Sequence, residues 1–204
     1  YYPDNTFTKV ADTNLDNGLV IQDANGNEYV WIEVPKSLYN NEAYNKKTTT
    51  ADQKPASSTD YDKIEYCLHK YTNYYRIGTR FTDTYYSDDV TGLTSEKYTE
   101  LKQKMLKSVY QNGGFYVGKY ETGIEDAPKT SGSSSTAPTE TPVIKQNAYP
   151  YNNVTCSQAQ TLASNMESGN YTSSLMFGVQ WDLVLAFMHN KGNIADSTLT
   201  TNST

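Results

Sequence analysis

Gly113-Gly114-Phe115-Tyr116-Val117-Gly118-Lys119-Tyr120-Glu121-Thr122-Gly123 is the stretch from which the rest of the chain is read. Side chains alternate along an extended backbone, so Phe115, Val117 and Lys119 share one face and Tyr116, Gly118 and Tyr120 the other. This pattern predicts a buried central strand. Gly118, with no side chain, marks a close approach by a neighbour, and Glu121 is a lone carboxylate where the run ends. Glu121 is expected to be partly buried, accepting hydrogen bonds from backbone N–H groups near 154–158 or 175–181, so that Gly118 and Glu121 are structural residues.

Upstream, Leu19-Val20-Ile21 runs into Asp23-Ala24-Asn25-Gly26-Asn27 and returns as Tyr29-Val30-Trp31-Ile32-Glu33-Val34. Asn and Gly supply the positive φ angles of a tight turn, so residues 18–34 are predicted to be a hairpin ended by Pro35. Trp31 is a core residue of that hairpin. Asp12, Asn14, Asp16 and Asp23 fall at positions 1, 3, 5 and 12 of a calcium-loop template. Position 6 is Asn17 where the template has Gly, and a strand follows where a helix should, so a polar lead-in to the first strand is the preferred reading and no metal is expected.

Residues 36–59 carry no apolar period and are predicted to be a solvated insertion. Ile64, Leu68, Tyr71 and Tyr75 recur at helical spacing, which predicts a helix over 61–75 with His69 off its apolar stripe and exposed. Residues 76–92 read as a loop. A second helix is predicted from Ser95 to Asn112, capped by Thr94 and closed by Gly113, with Tyr98, Leu101, Met105 and Val109 buried. Between 123 and 147 lies a second solvated insertion, whose Ser131–Pro138 tract is too polar to offset its ordering entropy and is expected to be a mobile surface loop.

Thr155-x-x-Gln158 has the spacing of a capping box, and Ala159, Leu162, Ala163 and Met166 give its helix a buried stripe. The next helix, over about 177–190, is expected to carry Trp181, Val184, Leu185 and Met188 inward, with Trp181 as the strongest core anchor and Gly192 at the end.

Three of these blocks together resemble a known family. Residues 115–122, 150–163 and 175–188 follow the order and spacing of strand and helix motifs in the formylglycine-generating-enzyme, or sulfatase-modifying factor, family. The resemblance extends over roughly 18–35 and 113–192. It implies an α+β, C-type-lectin-like fold, a single domain over 1–204, and the scaffold that also carries the variable binding proteins of diversity-generating retroelements. It does not imply catalysis. The family's copper-holding cysteines lie beyond its Glu-x-Glu-Trp block, where this chain has none, and Val179-Gln180 replace the acidic residue before Trp181. The family's last strands are also missing, so either the sequence is a piece of a longer chain or a neighbouring chain completes the sheet. An open sheet edge would then favour self-assembly.

Composition bears on function independently of the resemblance. The 204 residues are enough for one sizeable core, yet only 36% are apolar while 19 are Tyr, so Tyr must serve in the interior or as contact surface. A net charge of −6 with only 17 scattered Lys and Arg argues against a nucleic-acid partner. No stretch is long and apolar enough to span a bilayer. The start at Tyr1-Tyr2-Pro3 reads as a chain from which an export segment has been removed, and bacterial relatives in the resembled family carry a prepilin-like segment there. Cys67 and Cys156 form no Cys-x-x-Cys pair and are expected to be buried free thiols, with one disulfide as the other option. Asn153, Asn170 and Asn202 head Asn-x-Thr sequons.

Only His69 and His189 could serve a hydrolytic triad, and neither stands near a nucleophile turn. No phosphate loop or zinc spacing occurs. The expected function is an extracellular surface module binding a protein or glycan, without a cofactor. The other readings are a structural subunit of a pilus or similar cell-surface assembly and, third, an oxidase of the formylglycine-generating type.

Overall fold

The computed structural model describes residues 2–40, 61–75, 85, 87–167 and 169–201. Its elements, in chain order, are β1 (Thr8–Lys9), β2 (Val20–Gln22), β3 (Glu28–Glu33), α1 (Ser37–Asn40), α2 (Tyr61–Tyr71) with a following 3-10 turn (Asn73–Tyr75), α3 (Asp88–Thr91), α4 (Ser95–Asn112), β4 (Gly114–Gly118), β5 (Gly123–Ile124), β6 (Tyr149–Pro150), α5 (Cys156–Ser164), α6 (Gly178–Gly192) and α7 (Asp196–Thr201). The fold is α+β. Strands β1 to β4 form one sheet in the order β1-β2-β3-β4, and β5 pairs with β6 in a second. The predicted insertion at 36–59 begins with α1, and its residues 41–59 lie outside the described residues.

The predicted hairpin forms, with Val20 opposite Val30 and Gln22 opposite Glu28. Gly26 takes φ +86°, and Asp23 closes the turn by accepting N–H groups of Asn25 and Asn27, each at 2.8 Å. The hydrogen bonds Val34 N–H to Gly113 O and Lys119 N–H to Glu28 O, at 2.8 and 2.9 Å, run β4 antiparallel to β3. The stretch 113–123 is not central: β4 ends the order of the described sheet, because alternation in a strand does not reveal how many neighbours it has.

The chain forms two compact units, residues 1–31, 85–101 and 116–175 in the first and 32–84, 102–115 and 176–204 in the second. In the first, Phe7, Leu19, Ile21 and Trp31 make a buried cluster, with Leu15, Tyr29, Tyr116 and Tyr171 packed against it. Trp31 stands edge-on to Tyr116 with ring centroids 5.0 Å apart. Aromatic pairs of this kind contribute beyond their buried area by about 0.5–1.5 kcal/mol. Gly118 does mark a close approach, since a methyl group there would lie 3.1 Å from Ile144 Cγ2.

In the second unit, α2 packs against α1 and α6, and α6 against α7. Ile64, Cys67, Leu68, Leu106, Val109 and Val179 are almost completely removed from water there. Each such aliphatic side chain stabilises the fold by about 1.5–3 kcal/mol. The helix α4 has the predicted bounds, its first turn capped by Thr94 Oγ1 accepting Lys97 N–H at 3.2 Å and its end marked by Gly113 at φ +84°. The predicted end of α6 shifts by one: Asn193, at φ +52°, takes the left-handed position expected of Gly192.

Both predicted helix faces beyond residue 155 need correction. In α6 the buried residues are Val179, Asp182, Leu183, Leu185 and Ala186, while Trp181 is 51% exposed. Trp181 is therefore not a core anchor. In α5 the buried residue is Gln160, and Ala159, Leu162 and Ala163 are only half-buried. Gln160 Oε1 accepts the Leu175 N–H at 3.3 Å, which is why a polar residue takes the inner position.

Candidate functional site

The capping box at α5 forms as the sequence predicts. Thr155 Oγ1 accepts Gln158 N–H at 3.2 Å and Gln158 Oε1 accepts Thr155 N–H at 2.9 Å. The other end of the same amide pins the Ser-rich loop. Gln158 Nε2 donates to Ser133 O at 2.7 Å and to Thr136 O at 2.9 Å, so the 131–138 tract is exposed yet tied to α5. Loop and helix start enclose a shallow polar hollow of about 210 Å³ lined by Ser133, Ser134, Asn153 and Thr155.

A second arrangement sits in the first unit, beside the aromatic cluster. Asp23, buried in the hairpin turn, accepts Asn27 Nδ2 at 2.8 Å in addition to its two backbone donors. Glu167, from the chain after α5, accepts the Tyr29 hydroxyl at 2.6 Å. Burial, then the neighbouring carboxyl of Asp23 and the charge of Asp4, push the Glu167 carboxyl up to about 7 against the lowering pull of the Tyr29 hydroxyl. An acid in this range can hold a proton at neutral pH. Sequence reasoning missed it, because Glu167 stands 138 residues from Tyr29 and no local pattern connects them.

The third arrangement lies in the second unit. Glu65 is fully buried on α2, with Lys102 Nζ 3.0 Å from Oε2 and His69 Nε2 3.4 Å from Oε1. His69 is 2% exposed, a correction of the exposed position expected for it. The apolar stripe of α2 misled here, because Glu65 to His69 are all buried and the helix is covered beyond one face. A carboxylate beside an imidazole can orient a base, but at this depth no substrate reaches it.

Glu121 is exposed and Lys119, two residues before it, pairs instead with Glu28 across the sheet at 2.6 Å. The expectation that Glu121 organises the core is thus overturned: the strand ends at Gly118, so Glu121 no longer follows the alternation that would turn it inward. Of the four residues read as structural, Trp31 is buried, Gly118 lies against Ile144, and Glu121 and Trp181 face water. Cys67 and Cys156 are both free thiols, Cys67 buried as expected and Cys156 exposed.

The residues weighed for calcium are used locally. Asn14 Oδ1 accepts the Asp16 and Asn17 N–H groups, and Asp23 is taken up by its own turn. Among the described residues no group of His, Cys, Asp and Glu has the arrangement of a metal site. No described helix is long and apolar enough to cross a membrane. Comparison of the chain with protein-family models, with curated proteins and with solved structures finds no match.

Proposed function

We propose that the chain is an extracellular interaction module without catalytic activity, on a scaffold of the C-type-lectin-like kind, taking a protein or glycan partner. The observation that carries this reading is Trp181. It is 51% exposed at the start of α6, close in sequence to Met176 at 41%. A large aromatic left in water contributes little to folding and much to a contact, where Trp is prominent among the residues that dominate binding energy. The acidic, Tyr-rich composition supports the same use, since Tyr offers rigid contact area with a polar tip. The test is a glycan and extracellular-protein array probed with the parent and with Trp181→Ala. Capture by the parent that Trp181→Ala loses, at an unchanged melting temperature, supports the reading; equal capture by both removes Trp181 from it.

A structural subunit of a pilus or other surface assembly is the second reading, favoured by β4 standing last in the described sheet. Its edge is short and partly occupied: Ser108 Oγ donates to Gly114 O at 2.7 Å. Electron microscopy of the native cell surface separates the readings, ordered polymers standing for the subunit. For the oxidase reading, tight Cu(I) binding with oxidation of a cysteine-containing peptide would be required. The exposed Cys156 and the buried Cys67 lend it no support.

A further inference from the structure

Where Gly follows Asn, the glycine nitrogen readily attacks the side-chain amide before it, because glycine puts no side chain in the way. Three such pairs occur, Asn17-Gly18, Asn25-Gly26 and Asn112-Gly113, and all three asparagines are exposed. The attack needs two freedoms. The amide must turn its Cγ onto the nitrogen, and the nitrogen must release its N–H from any acceptor.

Asn112 ends α4, where its Nδ2 donates to Ser108 Oγ at 3.2 Å and the Gly113 N–H donates to Val109 O at 3.0 Å. Two bonds must break there. Asn17 has its amide pinned at both ends, Oδ1 accepting the Asn14 N–H at 2.7 Å and Nδ2 donating to Asp12 O at 3.1 Å. Two bonds must break there as well, although the Gly18 N–H donates to no described group. Asn25, at the tip of the β2–β3 turn, has no side-chain hydrogen bond among the described residues. The one bond in the way of attack is that of the Gly26 N–H to Asp23 O, at 3.2 Å. Each bond that must be given up slows the attack roughly fivefold.

We infer that Asn25 is a site of spontaneous modification, at which the folded chain converts an amide into isoaspartate and thereby unfastens the β2–β3 turn from Ile144. The Gly26 nitrogen forms a bond to Asn25 Cγ, the Cγ–Nδ2 bond breaks, and the Gly26 amide proton leaves with the ammonia. Water then opens the cyclic imide to isoaspartate or aspartate, with no oxidant or cofactor. The turn is sensitive to the first product. Asp23 Oδ1 accepts the Asn25 and Asn27 N–H groups, each at 2.8 Å, and Asn27 Oδ1 accepts the Ile144 N–H at 2.8 Å. Isoaspartate adds a carbon to the main chain between the first two of these N–H groups, which then lose the spacing that one oxygen accepts. Nothing in this site depends on the contact surface at Trp181.

The test is peptide mapping by mass spectrometry of the full chain kept for weeks in mildly alkaline buffer made with oxygen-18 water, which marks each opened ring. In the folded protein, conversion at Asn25 should run roughly fivefold ahead of Asn17 and Asn112, and in strong urea the three should draw level. The isoaspartate form, separated by chromatography, should lose about tenfold in hydrogen-exchange protection at the Asn27 and Ile144 amides. Asn25→Asp, which carries the same charge on an ordinary main chain, should keep that protection. The inference is overturned if Asn25 converts no faster than Asn17 or Asn112 in the folded chain, or if the isoaspartate form is as well protected as Asn25→Asp.

Discussion

Glu65 should be among the most costly single side chains to remove. Fully buried, it balances Lys102 at 3.0 Å, and Glu65→Ala would leave that cation in an apolar unit without its carboxylate. Breaking a buried pair in this way costs about 3–5 kcal/mol, and the lower end applies because Lys102 keeps some access to water. A denaturant melt of Glu65→Ala reads the loss, and Glu65→Ala combined with Lys102→Met should recover part of it. Glu121 is the counterpart. Its side chain is exposed, so Glu121→Ala should melt within about 0.5 kcal/mol of the parent. At this scale the sequence made Trp31 and Gly118 legible, because a hairpin position and a missing side chain are local facts. Glu65, His69 and Glu167 were not legible, because their partners are set by packing between distant segments.

The elements with chemical punctuation were the readable ones. Thr155 and Gln158 announce α5, Thr94 and Gly113 bracket α4, and Asp23 to Asn27 fix the turn. Thr155→Ala should cost about 1 kcal/mol by releasing one capped N–H. The same variant also tests the Ser-rich loop, since a helix start that has lost its cap holds less firmly the Gln158 whose amide donates to Ser133 and Thr136. Faster proteolysis within 131–138 alongside the lower melting temperature is the expected outcome. Faces were harder to read than bounds. The helix α6 carries Val179, Leu183, Val184, Leu185, Ala186, Phe187 and Met188, with apolar residues on several sides, so periodicity selects no single face and Trp181 was turned the wrong way. In β4 the alternation is present, but whether a second neighbour pairs with it is written elsewhere in the chain.

For the molecule as a whole, the two thiols make a probe of integrity. Cys156 is exposed and should be alkylated in the native protein at once, whereas Cys67, buried on α2, should react only on unfolding. Mass spectrometry after brief native labelling should show one adduct, on Cys156; an adduct on Cys67 of equal rate would mean that α2 opens freely. That α+β architecture was legible from the hairpin and the long helices, while its division into two units was not. Each unit is assembled from three separate stretches of chain, and β3, α4 and β4 each supply residues to both. Synthesis on a ribosome therefore cannot finish one unit and then begin the other. The first waits for residues near 175 and the second for Leu199 of α7, so α2, with its buried charges, emerges long before α6 exists to cover it. No contiguous piece of this sequence holds one unit without part of the other, and a growing chain leaves α2 uncovered until α6 has been made.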